Sequence, residues 1–289
     1  MKICRFNDDR LGIVCGDKVA DVTPALDAIP ALHWPIAPGD VLIRHWSLIA
    51  LRVASLLPAA PRLSLAELSL LSPITNPSKI IGIARNRRNL ASEKINLGEG
   101  SANQRHDDDP IQMFIKAPSA IAGPSDGFKP RFADRRTDPE AELTIIIGKP
   151  GTQISEADAF QHIFGYCIGL DMTLRGKESP SSRKSIDTYA MLGPWIVTCD
   201  DVPNPDALDM RFTLNSKLVQ QANTRDLAFG IAQIVAHASQ FYTLHPGDAI
   251  MVGTPVGFEP VKPGDIMRAE FSQIGAMDVQ VHDYAWPAT

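Results

Sequence analysis

Two glutamates stand two residues apart in DPEAELTIIIG, Asp138 to Gly148. On a strand, side chains two apart share a face, so Glu140 and Glu142 point one way while Ala141, Leu143 and Ile145 point the other. Close carboxylates repel, and burial in so apolar a run raises the cost, so a cation, a shared proton or solvent must resolve the conflict. The plain alternative is a pair of edge-strand charges facing water. A third carboxylate, Asp171, ends another apolar run, YCIGLDM. Three oxygen ligands suit Mg²⁺ or Mn²⁺, hard ions of about six-fold coordination that leave positions for water and substrate oxygens.

Cations follow closely. Arg175, Lys177, Arg183 and Lys184 lie in TLRGKESPSSRKSIDTY, and Arg85, Arg87 and Arg88 in IARNRRN. Either cluster is a solvated loop, or it holds an anionic substrate or a developing oxyanion. The other chemical motifs are missing. There is no G-x-x-x-x-G-K-[ST], no G-x-G-x-x-G and no G-x-S-x-G, and the seven histidines show no H-E-x-x-H spacing.

These residues need a scaffold, and 289 residues with 44% hydrophobic positions can bury a sizeable core. A formal charge of −5 argues against nucleic acid and leaves a small molecule or another protein as partner. The most apolar window, VLIRHWSLIALRVASLL, is broken by Arg44, His45 and Arg52, so no membrane span is expected. Four cysteines without a C-x-x-C pair make neither a disulfide framework nor a zinc cage, and fit reduced thiols in a cytoplasmic protein.

The first twenty-two residues alternate apolar stretches with turn chemistry and predict a small three-stranded meander. Thr23-Pro24 and Gly39-Asp40 read as helix starts covering that sheet. SPITNPSK, Ser72 to Lys79, marks a boundary, giving a small N-terminal domain over 1–72 and a second domain over 73–289. Beyond it, KIIGIA, QMFIKA, AELTIIIG, FGYCIGLDM, PWIVTC, MRFTLN, DAIMVG and DIMRAEF read as short strands. Only Ser155 to Ile163 and Asp226 to Tyr242 read as long helical windows. The fold class is therefore α+β, mainly β, and a doubly wound sheet is excluded. HPGDAIMVG and KPGDIMRAE each open a strand with a Pro-Gly turn, a structural repeat. Asn96 to Pro110 is a long polar loop, either padding or an active-site lid.

Taken in order, SKIIGIARN, FIKAPSAIAGPSD, DPEAELTIIIGK, FGYCIGLDMTLR, RKSIDTYAMLGPWIVT, QQANTRDLAF, LHPGDAIMVGTPVGF and VKPGDIM resemble the fumarylacetoacetate hydrolase family across residues 79–281. The resemblance implies a mixed β-sandwich roll behind a small, variable N-terminal α+β domain, and a homodimer. It implies that Glu140, Glu142 and Asp171 are ligands for Mg²⁺ or Mn²⁺. Lys116, Arg175 and Lys184 match the family's active-site cations, and Thr254 matches the threonine of its substrate-binding G-T-P turn. Members act on 2-oxo acids and β-diketo acids, hydrolysing acylpyruvates at a C–C bond, decarboxylating, hydrating or tautomerising.

Two positions depart from that pattern. Where hydrolytic members carry N-Y-x-x-H-x-x-E, this chain has Asn86, Arg87, Leu90 and Glu93. Leu90 cannot accept a proton, which leaves Glu93, or His106 of the polar loop, as the base. Glu178 stands where members carry Gln, and would weaken anion binding unless it pairs with Lys177 or Arg175. The leading expectation is a metal-dependent C–C hydrolase of an acidic acylpyruvate, the substrate held partly by Arg85, Arg87, Arg88, Glu178 and Thr254. Next come a tautomerase, decarboxylase or hydratase that needs only enolate stabilisation, and a metal-binding relative without catalysis.

Overall fold

The computed structural model describes residues 1–88 and 111–283. Lys2–Phe6, Arg10–Cys15 and Lys18–Asp21 form the antiparallel meander that their turn residues predict. The meander is not a separate small sheet. Ile3 of its first strand pairs with Ile196 of Ala190–Thr198, so it extends a twelve-stranded sheet. The physical reason is the edge: a short strand left unpaired exposes a row of backbone N–H and C=O groups, and pairing satisfies them.

From Ala190–Thr198 the sheet continues antiparallel through Ile163–Asp171, Ala141–Ile147 and Ala249–Met251. It ends with Ile80–Ile83, parallel to Ala249–Met251, and then Met113–Lys116. A second sheet of four strands contains Asp209–Leu214, Lys217–Asn223, Ile266–Phe271 and Gly275–Gln280. Leu143, Ile145 and Ile147 share one hydrophobic core with Phe212, Ala269 and Met277 of that second sheet. Ile146, on the opposite face, packs among Ile80, Cys167, Leu192 and Met251. Both faces of Ala141–Ile147 are therefore covered, which is why its sequence reads as a continuous apolar run. The architecture is mainly β, a mixed sandwich roll.

Helices are few. Of the window Asp226 to Tyr242 only Ile231–Phe241 is α-helical, burying Ile231, Ile234, Val235 and Ala238 on one face, while Leu227 lies before it and ends the 3₁₀ turn Thr224–Asp226. The window Ser155 to Ile163 forms only a 3₁₀ turn, Ala159–His162, because Ile163 is already the first residue of the next strand. No described helix is long and apolar enough to cross a membrane. All four cysteines are free, and burial pushes the Cys4 and Cys167 thiols up to about 12.

The two Pro-Gly-Asp turns share one construction. His245 N–H donates to Asp248 at 2.8 Å, and Lys262 N–H donates to Asp265 at 2.9 Å. The N-terminal helices are tied to the first of these turns through Asp40, which is 1% exposed. Its carboxylate accepts from the Ile43 N–H as the cap of Val41–Arg44, and from the N–H groups of Thr75 and Asn76 and the Thr75 hydroxyl. Its own N–H donates to the Pro246 carbonyl at 2.8 Å. Gly247, at φ +83°, leaves the space: a Cβ there would meet the Asp40 Cβ at 2.2 Å. Removing the carboxylate orphans several buried donors at once, so Asp40→Ala should cost about 3 kcal/mol in a urea melt. Asp40→Asn should recover part of the loss. A midpoint equal to wild type in Asp40→Ala would contradict this.

Candidate active site

Strand register brings the acids together. Ala141 lies opposite Leu170 and Glu142 opposite Gly169. The Asp171 N–H donates to the Glu140 carbonyl at 2.8 Å, which makes these two residues cross-strand neighbours. Glu140, Glu142 and Asp171 therefore share a face at one end of the pair, and one carboxylate oxygen from each lies within 4.8 Å of the others. They are 7%, 3% and 1% exposed, and Ala141–Ile147 is flanked on both sides, so the reading as edge charges facing water is wrong. Gly169 is required by space, since a Cβ there would approach the Thr144 hydroxyl to 2.3 Å.

Lys116 ends the last strand of the sheet, three strands away from Ala141–Ile147, and the sheet curls to return it. Its Nζ donates to Asp171 Oδ1 at 2.5 Å from a fully buried side chain. Lys184 arrives on the short helix Pro180–Lys184, capped by Ser179. It donates to Glu140 Oε2 at 2.7 Å and to Asp171 Oδ2, with the Phe114 ring 4.8 Å from its ammonium. The Ser-rich stretch is thus not simply solvated. Arg183 and Lys184 are buried, whereas Lys177 is exposed.

Arg175 completes the cluster. Its Nε donates to Asp138 at 2.7 Å and its Nη2 to Glu140 at 3.1 Å, and it lies 5.0 Å from the centre of the Phe258 ring. Arg136 takes the other oxygen of Asp138 at 2.7 Å. Glu142 has a different partner, the Gly253 N–H at 2.7 Å.

The electrostatics follow from these partners. Burial pushes the Asp171 carboxyl up, but the Lys116 and Lys184 charges outweigh it and hold the group below its ordinary value. Glu142 is raised well above its ordinary value, by burial first and then by the Asp171 charge. Burial lowers Lys116 despite Asp171. Lys184 is raised, because the attraction of Asp171, Glu140 and Glu142 exceeds its burial cost. Lys116, Lys184 and Arg175 together offset the charge of the trio. Three hard oxygen donors converging on one point fit a divalent cation of the Mg²⁺ or Mn²⁺ kind.

Around this centre the remaining candidates separate. Thr254 is 9% exposed, and its hydroxyl accepts from Gln220 at 3.1 Å. The Arg87 Nη1 donates to the Thr254 carbonyl at 3.3 Å, and its guanidinium lies 6.0 Å from the centre of the Phe258 ring. Arg88 is exposed and donates to the Leu227 carbonyl, and Arg85 sits in the turn at φ 56°. Glu178 pairs with neither Lys177 nor Arg175. It is exposed and accepts both N–H arms of Arg135, at 2.9 and 2.8 Å, while Arg135 also donates to the Arg175 carbonyl. Glu93, His106, Leu90 and the loop Asn96 to Pro110 lie outside the described residues.

Asp138, Arg135, Arg136, Gln220 and Phe258 were not singled out from sequence. Asn86 is buried and anchors the turn that carries Arg87, donating to the carbonyls of Phe229 and Val252 and accepting from the Phe229 N–H. A signal for the first three was present in ADRRTDPE, where two arginines directly precede the acids.

The comparisons with known proteins agree with this geometry. The family profile "Fumarylacetoacetate (FAA) hydrolase C-terminal" matches residues 79–282. A maleylpyruvate hydrolase of Aquipseudomonas alcaligenes is 45% identical over 286 residues, covering 97% of this chain and 99% of that one. A mitochondrial oxaloacetate tautomerase of Xenopus laevis is 38% identical over 228 residues, covering 74% and 69%. The crystal structure of maleylpyruvate hydrolase from Sphingobium sp. SYK-6, in complex with manganese(II) and pyruvate, superposes with a TM-score of 0.81 at 37% identity, over 98% of this chain and 100% of that one. The chain belongs to the fumarylacetoacetate hydrolase family.

Proposed function

We propose that the protein is a divalent-metal-dependent hydrolase that cleaves a C–C bond in an acidic acylpyruvate, such as a maleyl- or fumarylpyruvate. The observation that carries this reading is the convergence of three buried carboxylates within 4.8 Å, with Lys116 and Lys184 bonded to them. Glu140, Glu142 and Asp171 would hold Mg²⁺ or Mn²⁺, which when bound supplies a Lewis acid for the oxygens of a 2-oxo acid and for enolate charge.

The protein's own groups account for the rest. Lys184 stays charged and, with Arg175, makes the pocket attractive to an anion. Asp138, Glu140 and Asp171 are ion-paired with Lys116, Lys184, Arg136 and Arg175. The reaction adds water across the C–C bond. Hydroxide bonds to the acyl carbon, the bond to pyruvate C3 breaks, and its electron pair leaves as pyruvate enolate, which takes a proton. The acyl fragment departs as a carboxylic acid. Glu93 or His106 is the proposed base, with Arg85, Arg87, Arg88, Glu178 and Thr254 as proposed substrate residues.

The second reading is tautomerisation of a 2-oxo acid, favoured by Leu90 at the position of the family histidine and by the oxaloacetate tautomerase relative. Both readings are tested by incubating the Mn²⁺- or Mg²⁺-loaded protein with an acylpyruvate while following enol absorbance and released pyruvate. Stoichiometric pyruvate is expected. Loss of enol signal without pyruvate would replace hydrolysis by tautomerisation. A cytoplasmic homodimer, with residues 1–72 as a small supporting domain and 73–289 as the catalytic domain, completes the proposal.

A further inference from the structure

The Gly253-Thr254-Pro255 turn does more than lend an N–H to Glu142. It presents a hydroxyl whose polarity is fixed by its neighbours. Gln220 lies in Lys217–Asn223 and is 2% exposed. Its Nε2 stands 3.1 Å from Thr254 Oγ1 and 3.1 Å from the Pro255 carbonyl oxygen. A carbonyl oxygen can only accept, so the amide nitrogen, not the amide oxygen, must face Pro255. The second hydrogen of that nitrogen then goes to the Thr254 hydroxyl oxygen. The hydroxyl, having accepted, has its own hydrogen left to give, and it donates to no partner among the described residues.

The other end of the amide points the same way. Gln220 Oε1 is buried without a hydrogen-bond partner among the described residues. An apolar side chain would avoid that cost, so the amide is kept for its two hydrogens. Thr254 directly follows Gly253, whose N–H donates to Glu142 at 2.7 Å, so the turn that bears the hydroxyl abuts the acid trio. A donor is therefore carried on a turn that touches the acid trio.

We infer that Gln220 is a positioning residue: it occupies the acceptor side of the Thr254 hydroxyl, so that Thr254 serves as a fixed hydrogen-bond donor to a substrate oxygen. The inference rests on the hydrolytic reading of the site. Glutamate at 220 keeps the shape and reverses the polarity. Ionised, it has no hydrogen to donate, and protonated it has one rather than two, so the Thr254 hydroxyl turns to donate toward residue 220 and away from substrate.

Gln220→Glu should lower kcat/KM for an acylpyruvate about 30-fold, and Thr254→Val by a similar factor. The double variant should be no worse than Thr254→Val alone, because both changes remove one interaction. Gln220→Met is the second variant, used if Gln220→Glu lowers the melting temperature, and it should show the same coupling. Losses that multiply in the double variant, or folded Gln220 variants with wild-type kcat/KM, would overturn the inference. If the wild type hydrolyses no acylpyruvate, the hydrolytic reading itself fails. Pyruvate binding to the Mn²⁺-loaded protein then decides: Gln220→Glu should weaken it about tenfold, and unchanged affinity would overturn the inference.

Discussion

Glu142→Gln is expected to abolish Mn²⁺ binding at micromolar metal and to lower acylpyruvate hydrolysis about 10³-fold or more. The substitution keeps the shape of the side chain and leaves an oxygen to accept from the Gly253 N–H, so the turn that carries Thr254 stays in place. What it removes is one of three negative charges held within 4.8 Å of one another. In the metal-free protein those charges repel in a buried site, and the fold bears the cost. Metal-free Glu142→Gln should therefore melt at or above the wild type at neutral pH. Added Mn²⁺ should raise the melting temperature of the wild type alone. Isothermal titration and thermal melts with and without Mn²⁺ separate a lost ligand from a lost fold. Wild-type Mn²⁺ affinity in this variant would remove Glu142 from the metal centre.

The trio was legible because a strand has a period of two and little else needs to be known. Glu140 and Glu142 share a face by spacing alone, and Asp171 ends a second apolar run of the same kind. That the two runs are neighbours, with the Asp171 N–H on the Glu140 carbonyl, is a matter of register, and register depends on the whole sheet. Lys184 was marked by the family resemblance and not by its own segment. Ser179-Pro180 is a helix-start signal, but the run of serines around it looks like low complexity, and only the packed helix turns the side chain inward. Gln220 was less legible still. Lys217–Asn223 is polar through much of its length, so hydrophobic periodicity does not mark Gln220, and the phrase QQANTRDLAF does not say which of its amides reaches Thr254. Arg135 with Glu178 belongs to the same class: the pair joins residues 43 apart, and its effect is seen only through the Arg175 carbonyl that Arg135 also contacts. The joining of the N-terminal meander to Ala190–Thr198 could not be read from composition, because an edge strand and an interior strand differ in their partners rather than in their residues.

Lys184→Met separates two effects that Glu142→Gln cannot. The Lys184 ammonium holds Glu140 Oε2 and Asp171 Oδ2, and both residues belong to the acid trio. Ammonium and dication repel each other and compete for the same acids, so removal of the lysine should tighten Mn²⁺ binding, by about tenfold at the effective dielectric of a partly relaxed site. Catalysis should move the other way. An anionic substrate loses a buried positive charge, and kcat/KM should fall about 10²- to 10³-fold. Methionine is unbranched and can lie against the Phe114 ring as the lysine does, so the loss is one of charge more than of packing. Without metal the variant should be less stable than wild type, because two buried carboxylates lose a shared partner, and Mn²⁺ should restore much of the difference. Affinity and turnover moving in opposite directions identifies a lysine that acts on substrate through its charge. If both fall together, Lys184 serves chiefly to hold Glu140 and Asp171 in position, and the anion-attracting role passes to Arg175.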